Sequence, residues 1–249
     1  MMKTWRMGPL AAMTVASTLL LSVPSGLAAD GPVRVLLVTG VDYQGHLWKE
    51  TSPALRAVLE EDKRLEVRIV DDLEFLASDI LFDYDVVLLH FKNYDPPKRQ
   101  EQVQVNLTRY VEEGGGLVLF HFACGAFETW PGYLDLAGRV WDKSKRAHDP
   151  RGPFTVHILG GDHPVTRGLA DFEIEDELYT CLGGDRPIHV VATARSKVDD
   201  QDYPMAFVHS FGNGRVFHTV LGHDVTAIRA PGLDRLVQNA SLWAAGRLE

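Results

Sequence analysis

Three of the ten histidines in this chain stand at the ends of apolar segments or in the loops that follow them: His46, His121 and His223. Histidine gains and loses a proton near neutral pH, and its neutral ring also binds metal ions. Each position has a simpler interpretation as well. His46 suits a loop or a helix cap, His121 a buried and hydrogen-bonded histidine, and His223 a turn. We expect His121 and His46 to act in acid–base chemistry or as metal ligands.

Carboxylates and aromatic residues near other segment ends would complete a site of this kind. The polar segment 160–180 carries an acidic cluster, in which Glu177 is the expected catalytic carboxylate. The alternative is that this cluster begins a helix, where the helix dipole favours negative charge. Substrate-binding roles are expected for five residues: Asp42, Tyr43, Asn93, Asp176 and Tyr179.

Three imidazoles and one carboxylate form a ligand set that suits Zn²⁺. The expected metal ligands are His46, His121 and His223, joined by Glu177. A divalent metal would stabilise negative charge on a substrate oxygen, and backbone N–H groups at a helix start would offer a similar stabilisation. No close-spaced ligand motif such as His-Glu-x-x-His is present, so the sequence leaves both arrangements open.

Alternating strands and helices must position these side chains. Continuous apolar runs predict buried parallel strands at 33–39, 65–70, 85–91 and 116–122. Helices are predicted at 51–62, with Thr51 or Ser52 as cap and Pro53 in the first turn, and at 97–113. This βαβ order predicts a doubly wound, mostly parallel α/β sheet. Ligands of such sheets bind beyond the carboxyl ends of the strands, where the three histidines are expected.

The second half of the chain has a different pattern. Short strands are predicted at 154–159, 188–193, 204–210 and 215–221. Residues 211–214 (FGNG) predict a hairpin between the last two strands, so this half is expected to be antiparallel or mixed. A helix at 233–248 closes the chain. His148 follows a basic run and is expected in a solvated loop, whereas four histidines inside predicted strands suggest no function: His157, His189, His209 and His218.

The N-terminal residues predict a secretory signal. Lys3 and Arg6 precede an apolar stretch at 10–21, and Pro24 and the small residues at 26–29 follow it. A membrane anchor is the alternative, but the stretch is shorter than the roughly 20 residues that span a bilayer. We therefore expect a signal peptide at 1–29, a single domain at 30–249, and a periplasmic or secreted protein with no membrane attachment after cleavage.

The net charge of the chain limits the classes of molecule that it is expected to bind. The formal net charge is −9, which disfavours nucleic acid and anionic lipid as partners. A small-molecule substrate is expected instead.

Two cysteines, Cys124 and Cys181, form at most one disulfide, and the sequence leaves their pairing open.

Four motifs in order resemble the ThuA-like family, which is named for trehalose utilisation. They are GVDYQGHLW (40–48), GGGLVLFH (114–121), HPVTRGL with FEIEDELY (163–179) and GNGRVFHTVLGHD (212–224). The resemblance covers essentially the whole mature domain. It implies a flavodoxin-like sheet similar to class I glutamine amidotransferases, and a role in disaccharide catabolism through 3-keto sugars.

The resemblance also bears on Cys124. In the amidotransferase superfamily a nucleophilic cysteine stands on a sharp turn at a strand end, usually within Gly-x-Cys-x-Gly. His121 is nearest that position here, Cys124 follows about a turn later, and the flanking glycines are missing. No His-x-Glu follows the last strand to activate a thiol. We therefore expect Cys124 to be a small buried residue and His121 to be the functional one.

The resulting hypothesis is an exported carbohydrate-processing enzyme. A 3-keto sugar has an acidified C–H beside its carbonyl, and removing that proton leads to elimination, hydrolysis or isomerisation. The first alternative is a non-catalytic sugar-binding or accessory module with the same fold. The second is a hydrolase that uses a pair of carboxylates on unoxidised glycosides.

Overall fold

A computed structural model of the chain describes residues 1–2, 31–159 and 161–249. The predicted signal peptide lies outside these residues, apart from its first two. Among the described residues, no helix is long and apolar enough to cross a membrane.

Eleven strands occur in the described residues: β1 Val33–Val38, β2 Leu65–Val70, β3 Val86–Leu89, β4 Gly116–Phe120, β5 Val140–Trp141, β6 Gly152–Ile158, β7 Phe172–Asp176, β8 Leu182–Gly183, β9 His189–Arg195, β10 Asp202–Phe211 and β11 Gly214–Thr219. Nine of them form one sheet in the order β2-β1-β3-β4-β11-β10-β9-β6-β7, and β5 pairs with β8. The first five strands of the sheet are parallel. Their order matches the flavodoxin-like arrangement, with β11 in the fifth place.

The four remaining strands of the large sheet extend it in antiparallel fashion. The predicted hairpin between β10 and β11 is confirmed, and so is the mixed character of this half. The interpretation of the acidic segment as a helix start is wrong, because residues 172–176 form β7. Ile174 and Asp176 are buried while Glu173 and Glu175 are exposed, which is the two-residue alternation of a strand.

Five α-helices accompany the sheet in the described residues: α1 Trp48–Glu61, α2 Gln100–Glu112, α3 Tyr133–Ala137, α4 Val225–Ile228 and α5 Leu233–Ala244. α1 begins earlier than predicted, because the Thr51 amide already donates to the Leu47 carbonyl. The prediction of Thr51 or Ser52 as the cap is therefore wrong, because both residues lie inside the helix. The buried hydroxyl of Ser52 lies 3.0 Å from His90 Nδ1 and joins the helix to the end of β3.

Two apolar cores cover the two faces of the sheet. On one face α1, α4 and α5 pack over the sheet, with Leu55 and Leu236 fully buried. On the other face α2 and α3 pack over it, with Leu107 and Leu136 fully buried. Because both faces are covered, the carboxyl edge of the parallel strands remains as the place where polar side chains meet.

The environment of His218 on β11 leads us to expect that the folded state loses stability in acid. His218 is fully buried, and its Nδ1 donates to the Ala137 carbonyl at 3.0 Å. Burial lowers its pKa to about 4, so protonation favours the unfolded chain. The stability that depends on neutral His218 is complete above pH 6.5 or so, and it is lost as the pH falls toward 4, at up to about 1.4 kcal/mol per pH unit.

The His218→Phe variant removes this titration. We expect urea unfolding between pH 7.5 and 4.5 to show a shallower loss of stability in the variant than in the wild type. If the unfolding free energy fell equally steeply with pH in the two proteins, His218 would not be a cause of the acid sensitivity.

Candidate functional site

Four side chains from four segments converge at the carboxyl edge of the parallel strands. They are His46, His121, Glu177 and His223, and one potential ligand atom of each lies within 4.8 Å of the other three. His46 follows β1, His121 follows β4 and His223 follows β11. Glu177 directly follows β7, which the sequence did not predict as a strand. These four residues, called the histidine cluster below, therefore come from segments far apart in the chain.

His121 occupies a strained turn at the end of β4. Its φ is +51°, which is uncommon for a residue other than glycine and is found mainly where structure serves function. The chain turns directly from the strand into a short 3₁₀ helix, His121–Gly125. This strand–turn–helix holds the His121 side chain at the carboxyl end of β4, where ligands of parallel sheets bind. The ring Nδ1 donates to the Val220 carbonyl at 2.7 Å, so Nε2 presents its lone pair to the cluster.

His46 reaches the cluster from the loop between β1 and α1. Its ring stacks on those of Phe122 and Tyr43, whose centroids lie 4.2 and 5.2 Å from the centroid of the His46 ring. These contacts hold His46 Nε2 at 2.9 Å from His121 Nε2. The other nitrogen, Nδ1, is buried and has no hydrogen-bond partner.

Asp176 positions the remaining two members of the cluster. Its carboxylate accepts backbone hydrogen bonds from Gly222 at 2.6 Å, Glu177 at 2.8 Å and His223 at 3.1 Å. The residue is fully buried, so substrate does not reach it. We assign Asp176 a positioning role in place of the expected substrate contact, since it ties the end of β7 to the loop after β11.

The buried environment keeps two of the histidines neutral. Burial and the nearby His223 lower the pKa of His46 to about 4. Burial, followed by His46, lowers the pKa of His121 well below its ordinary value. The carboxylate of Glu177 raises the pKa of His223. Burial of Glu177 opposes its ionisation, but His223 and the other histidines outweigh this effect and lower its pKa.

These donors fit a divalent metal such as Zn²⁺. Ligands of tetrahedral zinc lie about 3.3 Å apart. In the cluster, Nε2 of His121 is 2.9 Å from His46 Nε2 and 3.9 Å from Glu177 Oε2. His223 Nδ1 lies 3.1 Å from Glu177 Oε2, yet it is buried and makes no hydrogen bond of good geometry. Three imidazoles and one carboxylate with such spacing are a suitable donor set for zinc.

The other predicted substrate-binding residues lie around this cluster in different roles. Tyr179 Oη is 3.2 Å from His121 Nε2, and Tyr43 is exposed at the rim. Asn93 is buried, where its Oδ1 accepts from the Phe127 amide and its Nδ2 donates to the Asp95 carbonyl. Asp42 is 79% exposed and accepts from Trp48 Nε1 at the start of α1. Asn93 and Asp42 therefore have local structural partners.

Cys124 is fully buried on the turn after His121. Burial raises its pKa well above the ordinary value for a thiol, and a nucleophile would need the opposite. Cys124 and Cys181 are both free. The open question of their pairing is thus resolved in this structure, which contains no bond between them.

The sequence predicted no functional role for three further residues near the cluster. His148 was expected in a solvated loop, but its Nε2 lies 3.7 Å from Glu177 Oε1 and its ring stacks on Tyr179. The Lys92 ammonium lies 5.1 Å from the centroid of the Trp141 ring, and Trp141 in turn stands edge-on to Tyr179. The bridge that pairs His148 with Tyr179 brings that loop to the site, and no local pattern signals such a pairing.

Comparisons with known proteins agree with this architecture. The sequence profile of the family described as ThuA, trehalose utilisation, matches residues 34–244. A putative ThuA-like protein from Parabacteroides merdae is 25% identical with a TM-score of 0.76, covering 87% of this chain and 91% of that one. A second, from Bacteroides uniformis, is 22% identical with a TM-score of 0.69, covering 90% and 95%.

A more distant structure shows the wider fold. A putative GMP synthase protein from Thermoplasma acidophilum is 12% identical with a TM-score of 0.54, covering 86% of this chain and 95% of that one. It supports the glutamine amidotransferase-like fold alone. No curated protein sequence matches the chain. The profile match over most of its length shows that the chain belongs to the ThuA family of trehalose utilisation, with a role in carbohydrate metabolism.

Proposed function

We propose that this protein is a metal-dependent enzyme that removes the proton beside the carbonyl of a 3-keto sugar. The observation that carries the proposal is the convergence of His46, His121, Glu177 and His223 within 4.8 Å at the carboxyl edge of the sheet. A pure scaffold has no need for four such donors there. Family membership supports a carbohydrate as the substrate.

The four residues of the cluster would hold the metal. Low pKa values keep His46 and His121 neutral, which is the form that binds metal. The Val220 carbonyl fixes the tautomer of His121, and this kind of support raises the basicity of the ligand nitrogen. A bound divalent metal that also accepted a substrate oxygen would supply a Lewis acid for the carbonyl group of the sugar.

His148 is placed to act as the base. Its Nδ1 donates to the Asp149 carbonyl at 2.7 Å, so Nε2 carries the lone pair and faces the mouth of the cluster beside Glu177. In a 3-keto glycoside this nitrogen accepts the proton from C2, and the electron pair moves into the carbonyl to give an enolate. A proton returned to carbon completes isomerisation.

Elimination and hydrolysis follow from the same enolate. Its electrons form the C1–C2 double bond, and the C1–O bond breaks with its electron pair on the departing oxygen. The Lys92 ammonium, near Trp141 and 3.5 Å from Glu128, is a proton donor for that oxygen. Addition of water to C1 then completes hydrolysis.

The test is incubation of the metal-loaded protein with 3-keto trehalose in D₂O. We expect deuterium at C2 or release of glucose, and a kcat about a hundredfold lower for His148→Gln with metal content unchanged. His157→Gln, at an exposed histidine on β6, is the matched control and should behave as the wild type. Sugar that binds but is recovered without exchange would favour the non-catalytic module over the enzyme.

We also propose export to the periplasm or the exterior. The charged, apolar and small-residue regions within residues 1–29 support it. The acidic net charge of −9 is consistent with a small-molecule substrate rather than nucleic acid.

A further inference from the structure

A cavity lies beside the Cys124–Gly125 end of the short 3₁₀ helix that begins at His121. It has a volume of about 610 Å³ and is lined by Cys124 and Gly125 of that helix, by aromatic rings and by charged side chains. The aromatic part includes Phe127, Trp130 and Trp141. Its volume falls within the range of small-molecule binding sites.

The charges around this cavity are paired. Glu128 accepts from Lys143 at 2.7 Å and lies 3.5 Å from the ammonium of Lys92. Asp142 lies 4.0 Å from Lys145 and accepts from Ser144. Each carboxylate that lines the cavity has an ammonium group within 4.0 Å, so the rim offers both hydrogen-bond acceptors and donors to a ligand with many hydroxyl groups.

The walls also suit a sugar ring. Trp130 and Trp141 are half-buried, and Trp130 is held by Phe127 and Tyr133, with ring centroids 5.6 and 5.8 Å away. A pyranose has apolar C–H faces, which pack on rigid aromatic rings, and equatorial hydroxyls, which reach carboxylates and ammonium groups at the edge.

Two residues, Trp141 and Lys92, lie on the side of the cavity that is nearer to the cluster. Trp141 lines the cavity and stands edge-on to Tyr179 at 5.3 Å, and Tyr179 contacts His121. Lys92 lies between Glu128 of the cavity and the rings of Trp141 and Tyr94. A ligand with two linked rings that reached from the cluster to the cavity would pass beside Lys92.

We infer that this cavity binds the non-reacting sugar ring of a disaccharide whose other ring lies over the histidine cluster. The inference rests on the proposed function for the location of the reacting ring, and it adds a separate subsite for the second ring. Trp130 is the residue to test, because it lines the cavity and makes no ring contact with the cluster.

The experiment measures binding of unoxidised sugars, which carry no carbonyl and undergo no reaction. Calorimetry on metal-loaded protein should show trehalose binding more tightly than methyl α-glucoside. Trp130→Ala should weaken trehalose binding about tenfold and leave methyl α-glucoside binding unchanged. Trp130→Phe should recover most of the loss, and Trp243→Ala, on α5, is the matched control.

Equal affinity of the wild type for the two sugars would overturn the inference, as would unchanged trehalose binding in Trp130→Ala. An equal loss for both sugars would do the same, because it would place Trp130 in the site for the reacting ring or in the fold. Absence of turnover on 3-keto trehalose bears on the proposed function alone, since the binding result does not depend on chemistry.

Discussion

His121→Asn is expected to lose metal binding and activity together. Asparagine tolerates the positive φ of +51° found at this position, so the turn after β4 is retained while the imidazole is removed. Metal affinity should fall by more than about a hundredfold, a larger effect than loss of a supporting residue produces. Activity on a 3-keto sugar should fall in parallel. Calorimetric titration with Zn²⁺ and a steady-state assay measure the two quantities.

The control for this variant is His218→Phe. His218 is also fully buried, and it also donates from Nδ1 to a backbone carbonyl. It lies outside the four-residue cluster, so its loss should leave Zn²⁺ affinity unchanged above pH 6.5 or so. Wild-type affinity and activity in His121→Asn would remove His121 from the mechanism.

Asp176→Asn is expected to weaken both the fold and the metal site. The Asp176 carboxylate accepts three backbone N–H groups, from Gly222, Glu177 and His223. Asparagine has one acceptor oxygen, and its amide nitrogen would face one of these donors. Leaving a buried donor unsatisfied costs about 1–3 kcal/mol of unfolding free energy. The loop that orients His223 and Glu177 would also loosen, which predicts a loss of about 10–100-fold in Zn²⁺ affinity.

Chemical denaturation and Zn²⁺ titration measure these effects. Glu173→Gln is the matched control, because Glu173 is an exposed carboxylate on the same strand and should change neither quantity. If Asp176→Asn kept wild-type stability and affinity, Asp176 would not be the residue that holds the two ligands in place.

The parallel half of the fold was predictable because buried parallel strands leave a local record. The predicted strands at 33–39 and 65–70 correspond closely to β1 and β2. Once the sheet is parallel, the carboxyl ends of its strands must share an edge. For this reason the sequence alone predicts that His46, His121 and His223 meet in one crevice.

The rest of the site depends on pairings between distant segments. β7 was missed because its acidic residues are equally typical of a helix start, and only antiparallel pairing with β6 makes it a strand. That pairing separates the roles of adjacent carboxylates, since Asp176 turns into the core while Glu177 reaches the cluster. The bridge that carries His148 to Tyr179 likewise has no local sequence pattern.

Metal binding by the four side chains of the cluster can be observed in an anomalous difference map, recorded at the zinc absorption edge from crystals of protein supplied with Zn²⁺. We expect one peak at about 2.0–2.2 Å from nitrogens of His46, His121 and His223 and from a carboxylate oxygen of Glu177. A fully occupied peak elsewhere, or no peak within this cluster, would contradict this expectation.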